Sequence, residues 1–238
     1  MSDLVCPSCA SDLFSAECDN NPVLICTACR TWYPVVAGIP VMLTFITPFH
    51  EQFAASHSAE LGALGATLPA GHPRTGEEST QATFTAEWEH ATNSDLSFIF
   101  DGNDLVALNR EVWLAGLHDT PPRTILDVGC GAGQEAIALG RVFPQAQISA
   151  VDLNFSMLTR VGELAESETP VDFAVASLFA LPFPDASFDL VYSEGVLHHT
   201  YSTREAFNAI ALKVAEGGHL FVWLYGRDDL GSLRGRRR

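Results

Sequence analysis

Thr124-Ile125-Leu126-Asp127-Val128-Gly129-Cys130-Gly131-Ala132-Gly133-Gln134-Glu135 is the stretch that decides the fold. Its first five residues form a short apolar run, the pattern of a strand buried in a parallel sheet. Three glycines at alternate positions then break the strand. From Glu135 to Val142 apolar residues return with helical spacing on one face. Strand, glycine turn and helix together form the entry to a nucleotide-type site. Glycines let backbone approach a ligand closely, and a helix start presents free N–H groups.

The kind of ligand follows from what surrounds the glycines. A dinucleotide fingerprint, Gly-x-Gly-x-x-Gly, would need glycine at position 134, where Gln134 stands. This spacing argues against a nicotinamide oxidoreductase. A Walker loop would end in Gly-Lys-Ser/Thr, which is absent. Asp127 lies two residues before the first glycine, where a pyrophosphate would be repelled. A carboxylate there suits a ligand with positive charge, and S-adenosylmethionine carries an ammonium, a sulfonium and only one carboxylate. The loop resembles the first motif of class I S-adenosylmethionine-dependent methyltransferases of the type 11 kind, acidic-x-Gly-x-Gly-x-Gly. The resemblance implies cofactor-binding roles for Asp127, Gly129, Gly131 and Gly133.

Downstream, the landmarks of that family arrive in order. Gln147 to Asp152 reads as a second strand, and Asp152 falls 23 residues after Gly129. A doubly wound fold places a carboxylate there on ribose hydroxyls. Leu153 opens the next helix, expected to run to Glu166. Val171 to Ala176 is a third strand, followed by Ser177 and Leu178. Many of the resembled enzymes carry an aspartate where Ser177 stands, meeting the adenine amino group. Leu181-Pro182-Phe183-Pro184-Asp185-Ala186-Ser187-Phe188-Asp189 resembles a signature turn of the same superfamily and leads into a fourth strand, Phe188 to Ser193. Glu194, His198 and His199 follow that strand. Ligands in open α/β sheets bind beyond the carboxyl ends of strands, which brings these three near the reacting methyl group. The two histidines are the candidate general bases, if the nucleophile must lose a proton; packing is the competing role for them. Arg204 to Val214 is an amphipathic helix, which Gly217-Gly218 is expected to end with a left-handed cap. His219 to Tyr225 is a fifth strand.

The implied architecture is a Rossmann-like, doubly wound, mostly parallel α/β sheet of strand order 3-2-1-4-5. The resembled fold adds two further strands, and residues 226–238 are too few and too polar to supply them. The expectation is a C-terminal truncation, with a partner over the exposed fifth strand as the other way to protect that edge.

The N-terminus carries a second motif. Cys6-Pro7-Ser8-Cys9 and Cys26-Thr27-Ala28-Cys29 are separated by sixteen residues. Two such pairs can place four thiolates on one tetrahedral zinc. Four thiolates leave no open coordination position, so the metal would be structural. With the Tyr33-Pro34 and Gly38-Ile39-Pro40-Val41-Met42-Leu43 tail, residues 1–45 resemble the zinc-ribbon family that activates methyltransferases. Cys18 is spare and reads as a packing residue. Residues 46–80 are expected to hold a short helix and a flexible linker, with His50, His57 and His72 solvated or packed. Residues 81–238 are assigned to the methyltransferase domain. Phe84 and Trp88 are one helical turn apart and fit either a lid over the donor or the core.

Composition narrows the acceptor. The chain has 238 residues, 47% of them hydrophobic, and a formal net charge of −16. Five of its 13 basic residues lie in the last twelve positions, Arg227, Arg234, Arg236, Arg237 and Arg238. A body this acidic repels phosphate backbones, which disfavours nucleic acid as a substrate. No apolar run is long enough for a membrane span and no signal pattern opens the chain, so a cytoplasmic location is expected. The reading is therefore an enzyme that moves a methyl group from S-adenosylmethionine to a small metabolite, with a fused structural zinc ribbon. A protein partner through the ribbon or the fifth strand is also implied. The alternative is a non-catalytic, methyltransferase-like binding partner acting through its ribbon.

Overall fold

Residues 4–40 fold around two cysteine turns and two tight hairpins. In the computed structural model, which describes residues 4–90, 102–155 and 170–226, strand β1 (Leu13–Cys18) pairs antiparallel with β2 (Asn21–Cys26). Asp19 and Asn20 between them both take positive φ, 47° and 64°, the geometry of a two-residue hairpin whose twist matches its strands. β3 (Trp32–Val36) adds to β2, and Ala37-Gly38 turns the chain into β4 (Ile39–Pro40). The four strands lie in sequential order in one sheet.

Helix α1 (Pro48–Ala63) packs back onto this sheet. It opens with a capping box: Thr47 accepts from the His50 backbone N–H, while the Thr47 N–H donates to His50 Nδ1. Trp32 packs against His50 and Phe53 at ring distances of 5.2 and 5.3 Å. Cys18, Val23, Ile25, Trp32 and Leu61 form the buried cluster beneath, so Cys18 is a packing residue. Residues 66–71 are tied in as well, through Trp32 N–H to Thr67 O and Gly71 N–H to Thr44 O.

The second sheet holds five parallel strands: β5 (Thr124–Val128), β6 (Gln147–Asp152), β7 (Val171–Val175), β8 (Phe188–Glu194) and β9 (Val214–Trp223). Their spatial order is β7-β6-β5-β8-β9, the 3-2-1-4-5 arrangement. β5 is central and buried on both faces. Ile125 joins Leu139, Ile148 and Leu190 on one side, and Leu126 and Val128 join Val151, Val191 and Ile210 on the other. Helix α2 (Glu77–His90) precedes the sheet, as do α3 (Gly102–Leu108) and the π-helical turn Asn109–Trp113. α4 (Gln134–Val142) follows β5, and α5 (Thr203–Ala211) precedes β9. The helix expected after Asp152 lies mostly outside the described residues, as does the arginine-rich end.

The signature turn before β8 has a mechanical role. Asp189 accepts from the backbone N–H groups of Arg123 and Thr124, at 2.7 and 3.1 Å, and so ties β8 to the start of β5. Lys213, the single lysine of the chain, clamps the turn by donating to Phe183 O at 2.8 Å and Asp185 at 2.7 Å.

One sequence expectation needs correction. Gly217-Gly218 does not cap the preceding helix, because α5 ends at Ala211 and β9 already begins at Val214. The pair sits instead at a register shift between Phe188 and Leu190 of the neighbouring strand. Gly217 takes φ +77°, and a Cβ on Gly218 would lie 2.9 Å from Asp189 O. The glycines serve a bulge and a close backbone approach.

The two sheets meet at the outer edge of β7. Met42 N–H donates to Val175 O at 2.7 Å, and Val41 forms a parallel bridge with Val175. Val41 and Leu43 enter one face of the core while Cys6, Tyr33 and Met42 enter the other. The exit of the N-terminal module thus continues the parallel sheet by a few residues. On the opposite side, no strand pairs with the outer edge of β9 among the described residues. No described helix is long and apolar enough to cross a membrane.

Candidate cofactor site and cysteine centre

The glycine loop is built where β5 ends against β6. Gly129 takes φ +79°, and its N–H and that of Cys130 both donate to Val151 O, at 2.8 and 3.0 Å. A Cβ at Gly129 would lie 2.4 Å from Val196, so backbone freedom and space both require glycine there. Gly131 donates to Asp152 Oδ2 at 3.0 Å, and Gly133, at φ +80°, starts α4. Asn154 N–H donates to the other Asp152 oxygen at 2.8 Å. Asp152 thus fixes the loop and also lies at the end of its strand.

Four carboxylates surround this loop. Asp127 is buried, and among the described residues one of its oxygens has no hydrogen-bond partner. Burial pushes its carboxyl well above the usual range, and Glu135, Glu194 and Asp152 push it the same way. Glu135, in the first turn of α4, is pushed up to about 7, first by burial and then by Glu194. Burial also raises Glu194, whose carboxylate accepts from the Tyr192 hydroxyl at 2.7 Å. Asp152 is raised by burial against the pull of its N–H partners. Among the described residues no Lys, Arg or His side chain forms an ion pair with any of the four. A water-poor site with this much uncompensated acidity is fitted to a cation. Sequence reading found Asp127, Asp152 and Glu194 but missed Glu135 and Tyr192. Only the position of Glu135 beside the last loop glycine hinted at its role.

The neighbouring strand ends are covered by α2. Gln81 Nε2 donates to Leu153 O at 2.8 Å. Ser177, buried beyond β7, donates to Glu77 and accepts from Phe179 N–H at 3.1 Å. Leu178 is half-buried against the core. Glu77 and Gln81 had no signal in the sequence, because each meets its partner across seventy residues or more. Thr80 donates to His199 O at 3.3 Å, and Phe84 meets the His199 ring edge-on at 4.9 Å. The Trp88 side chain lies outside the described residues.

His198 and His199 form a 3-10 turn after β8. The His198 ring packs between His199, at 4.1 Å, and Tyr225, at 4.2 Å. Its two nitrogens are enclosed, without partners among the described residues, and burial followed by the His199 charge lowers its pKa. The His199 side chain is exposed.

A cavity of about 450 Å³ opens beside α2. Its lining includes Leu43, Phe45, Phe49, Phe155, Val175 and Gln81.

The cysteine centre stands apart. The Sγ atoms of Cys6, Cys9, Cys26 and Cys29 all lie within 4.8 Å of one another. Cys6 to Cys29 is 3.6 Å and Cys9 to Cys26 is 3.4 Å. A tetrahedron with zinc–sulfur bonds of about 2.3 Å has edges of about 3.8 Å, so the four sulfurs fit such an ion. The Cys29 backbone N–H points at Cys26 Sγ at 3.4 Å. Ala10 and Arg30, each one residue past a pair, take φ 58° and 62°, which turns each Cys-x-x-Cys back on itself. All six cysteines are free thiols.

Comparison with known proteins bears on the fold that carries this loop. Residues 126–222 match the methyltransferase domain family. A malonyl-[acyl-carrier protein] O-methyltransferase of Xylella fastidiosa is 33% identical over 118 residues, 50% of this chain and 40% of that protein. A sterol 24-C-methyltransferase of Gibberella zeae is 33% identical over 123 residues, 48% of this chain and 32% of that protein. The matched segment therefore spans well under half the length of these relatives. Among solved structures, the plantazolicin methyltransferase bound to SAH superposes with a TM-score of 0.56 at 13% identity, covering 68% of this chain and 63% of that one. A Pyrococcus horikoshii OT3 protein reaches 0.51 at 21% identity, covering 63% and 69%. At these identities the likeness is one of fold.

Proposed function

We propose, from the premise that the chain carries a class I methyltransferase domain, that it binds S-adenosylmethionine at the glycine loop and transfers its methyl group to a small-molecule acceptor. The observation that carries this reading is Asp127, a buried carboxylate with an unpartnered oxygen facing further acids. Such a group is costly unless a cation arrives. The relatives' names give acceptors of different classes, and none is carried over to this chain. The acidic body supports a small acceptor over a nucleic acid.

The bound cofactor would supply an electrophilic methyl carbon on a sulfonium. The chain's own residues do the positioning, which is the main requirement of such a displacement. Gly129, Gly131 and Gly133 admit close approach of the ligand to backbone. Asp127, Glu135 and Glu194 hold the positively charged end. Asp152 meets the ribose hydroxyls, with Leu153, Ser177 and Leu178 beside the base. α2 crosses the strand ends and excludes water. His198 or His199 takes the acceptor's proton where one must leave. If His198→Ala and His199→Ala both keep full turnover, neither histidine is the base. Cys6, Cys9, Cys26 and Cys29 hold a structural zinc.

Calorimetric titration of the full chain with S-adenosylmethionine tests the reading. Saturable one-to-one binding is expected, abolished by Gly129→Val. A folded chain that binds neither S-adenosylmethionine nor S-adenosylhomocysteine would overturn it, and would favour a binding partner acting through the ribbon.

A further inference from the structure

Resting on that reading, the bond between Ser177 and Glu77 deserves a role of its own. Ser177 stands at the strand end where the resembled enzymes carry an aspartate for the adenine amino group. Its hydroxyl has one proton, and that proton is given to Glu77. Its oxygen also accepts from Phe179 N–H at 3.1 Å. Ser177 is therefore largely used up by its own neighbours. Glu77 is not. It is 8% exposed, and its second oxygen accepts from Arg74 N–H. A carboxylate offers about four acceptor positions, so about two remain. Among the described residues no cation pairs with Glu77. The residue lies on α2, and Gln81 one turn further on binds Leu153 O at the end of β6. The helix thus joins the ends of β6 and β7, the two elements that flank the base in this reading.

We propose that Glu77 is the acceptor for the exocyclic amino group of the adenine base. Ser177 aims the carboxylate and Glu77 supplies the charge, so two elements a hundred residues apart do what a single strand-end aspartate would do. α2 is then part of the binding site and not only a cover. The arrangement also sets base specificity. Hypoxanthine presents a carbonyl oxygen where adenine presents an amino group, and an acceptor facing the carboxylate is repelled.

The test compares S-adenosylhomocysteine with S-inosylhomocysteine by calorimetry on the full chain. The wild type is expected to favour the adenosyl ligand about 10- to 100-fold, the range for a hydrogen bond to a charged group. In Glu77→Gln the side-chain amide can donate to the inosyl carbonyl, and the preference should shrink at least about tenfold. Should Glu77→Gln fold poorly, the double variant Glu77→Ala with Ser177→Asp returns a carboxylate to the strand end and should regain the preference that Glu77→Ala alone loses. A wild type that binds both ligands alike, or a Glu77→Gln variant that keeps the full preference, would overturn the role of Glu77 and leave the methyl-donor reading standing. A wild type that binds neither ligand would remove both.

Discussion

The cysteine centre and the glycine loop pose the same electrostatic problem and answer it differently. Each gathers four groups that carry negative charge when ionised, Cys6, Cys9, Cys26 and Cys29 in one and Asp127, Glu135, Asp152 and Glu194 in the other. The thiol set is closed. Its sulfurs stand at tetrahedral spacing, and the short chain around them has too small a core to fold unaided. In the proposed reading its cation is a building material. The carboxylate set is open, with an oxygen that has no partner among the described residues, at the end of the central strands of the five-stranded sheet. Its cation is a visitor. Charge convergence alone does not separate structural from functional sites; whether the set closes on itself does.

The hardest way to break this contrast is to remove the metal. Chelation of the full chain should unfold residues 4–45, with a loss on the order of 10 kcal/mol of coupled binding and folding free energy. Near-ultraviolet dichroism would lose the Trp32 and Tyr33 signals, and zinc back-titration should restore them. Retention of those signals in the metal-free chain would show a ribbon that holds itself together.

Asp127→Asn probes the other side. It removes charge without changing shape, so affinity for S-adenosylmethionine should fall on the order of 100-fold or more while the empty protein becomes more stable, by about 1–3 kcal/mol. Calorimetry and chemical denaturation read the two effects separately. An equally stable or weaker variant would mean that the buried acid is satisfied in the free protein.

A smaller effect belongs to His50, whose burial holds its pKa down at about 4. The unfolded chain takes a proton near pH 6.5, whereas the folded chain resists it. Stability should therefore fall as pH drops from about 6.5 to about 4, by roughly 3 kcal/mol. His50→Gln keeps a side chain suited to the capping box and should flatten that slope in denaturation measured pH by pH.

The mildest test is Glu135. Burial and then Glu194 push its carboxyl up to about 7, so donor affinity should rise as pH climbs through neutrality, about tenfold between pH 6 and 8. Glu135→Gln should bind with little pH dependence over the same range.

The sequence made the central strands legible because burial on both faces left them little freedom. Thr124–Val128 and Gln147–Asp152 read identically in sequence and structure. The glycine positions were legible for a similar reason, since positive φ and the contact of Gly129 with Val196 leave one residue type. Features that depend on distant partners were not. The Glu77–Ser177 bond spans a hundred residues, and nothing local in Glu77-Glu78-Ser79-Thr80 distinguishes it from an ordinary helix start. Gly217-Gly218 showed the opposite failure. A local rule for helix ends fitted well, but the neighbouring strand set the actual constraint.

The backbone bond from Met42 to Val175 also bears on order in time. A ribosome delivers the N-terminal module more than a hundred residues before β7 exists. By the time β7 emerges, the segment that will pair with its outer edge is already made and waiting. The nascent sheet therefore grows with its β7 side already guarded against pairing with a neighbouring chain.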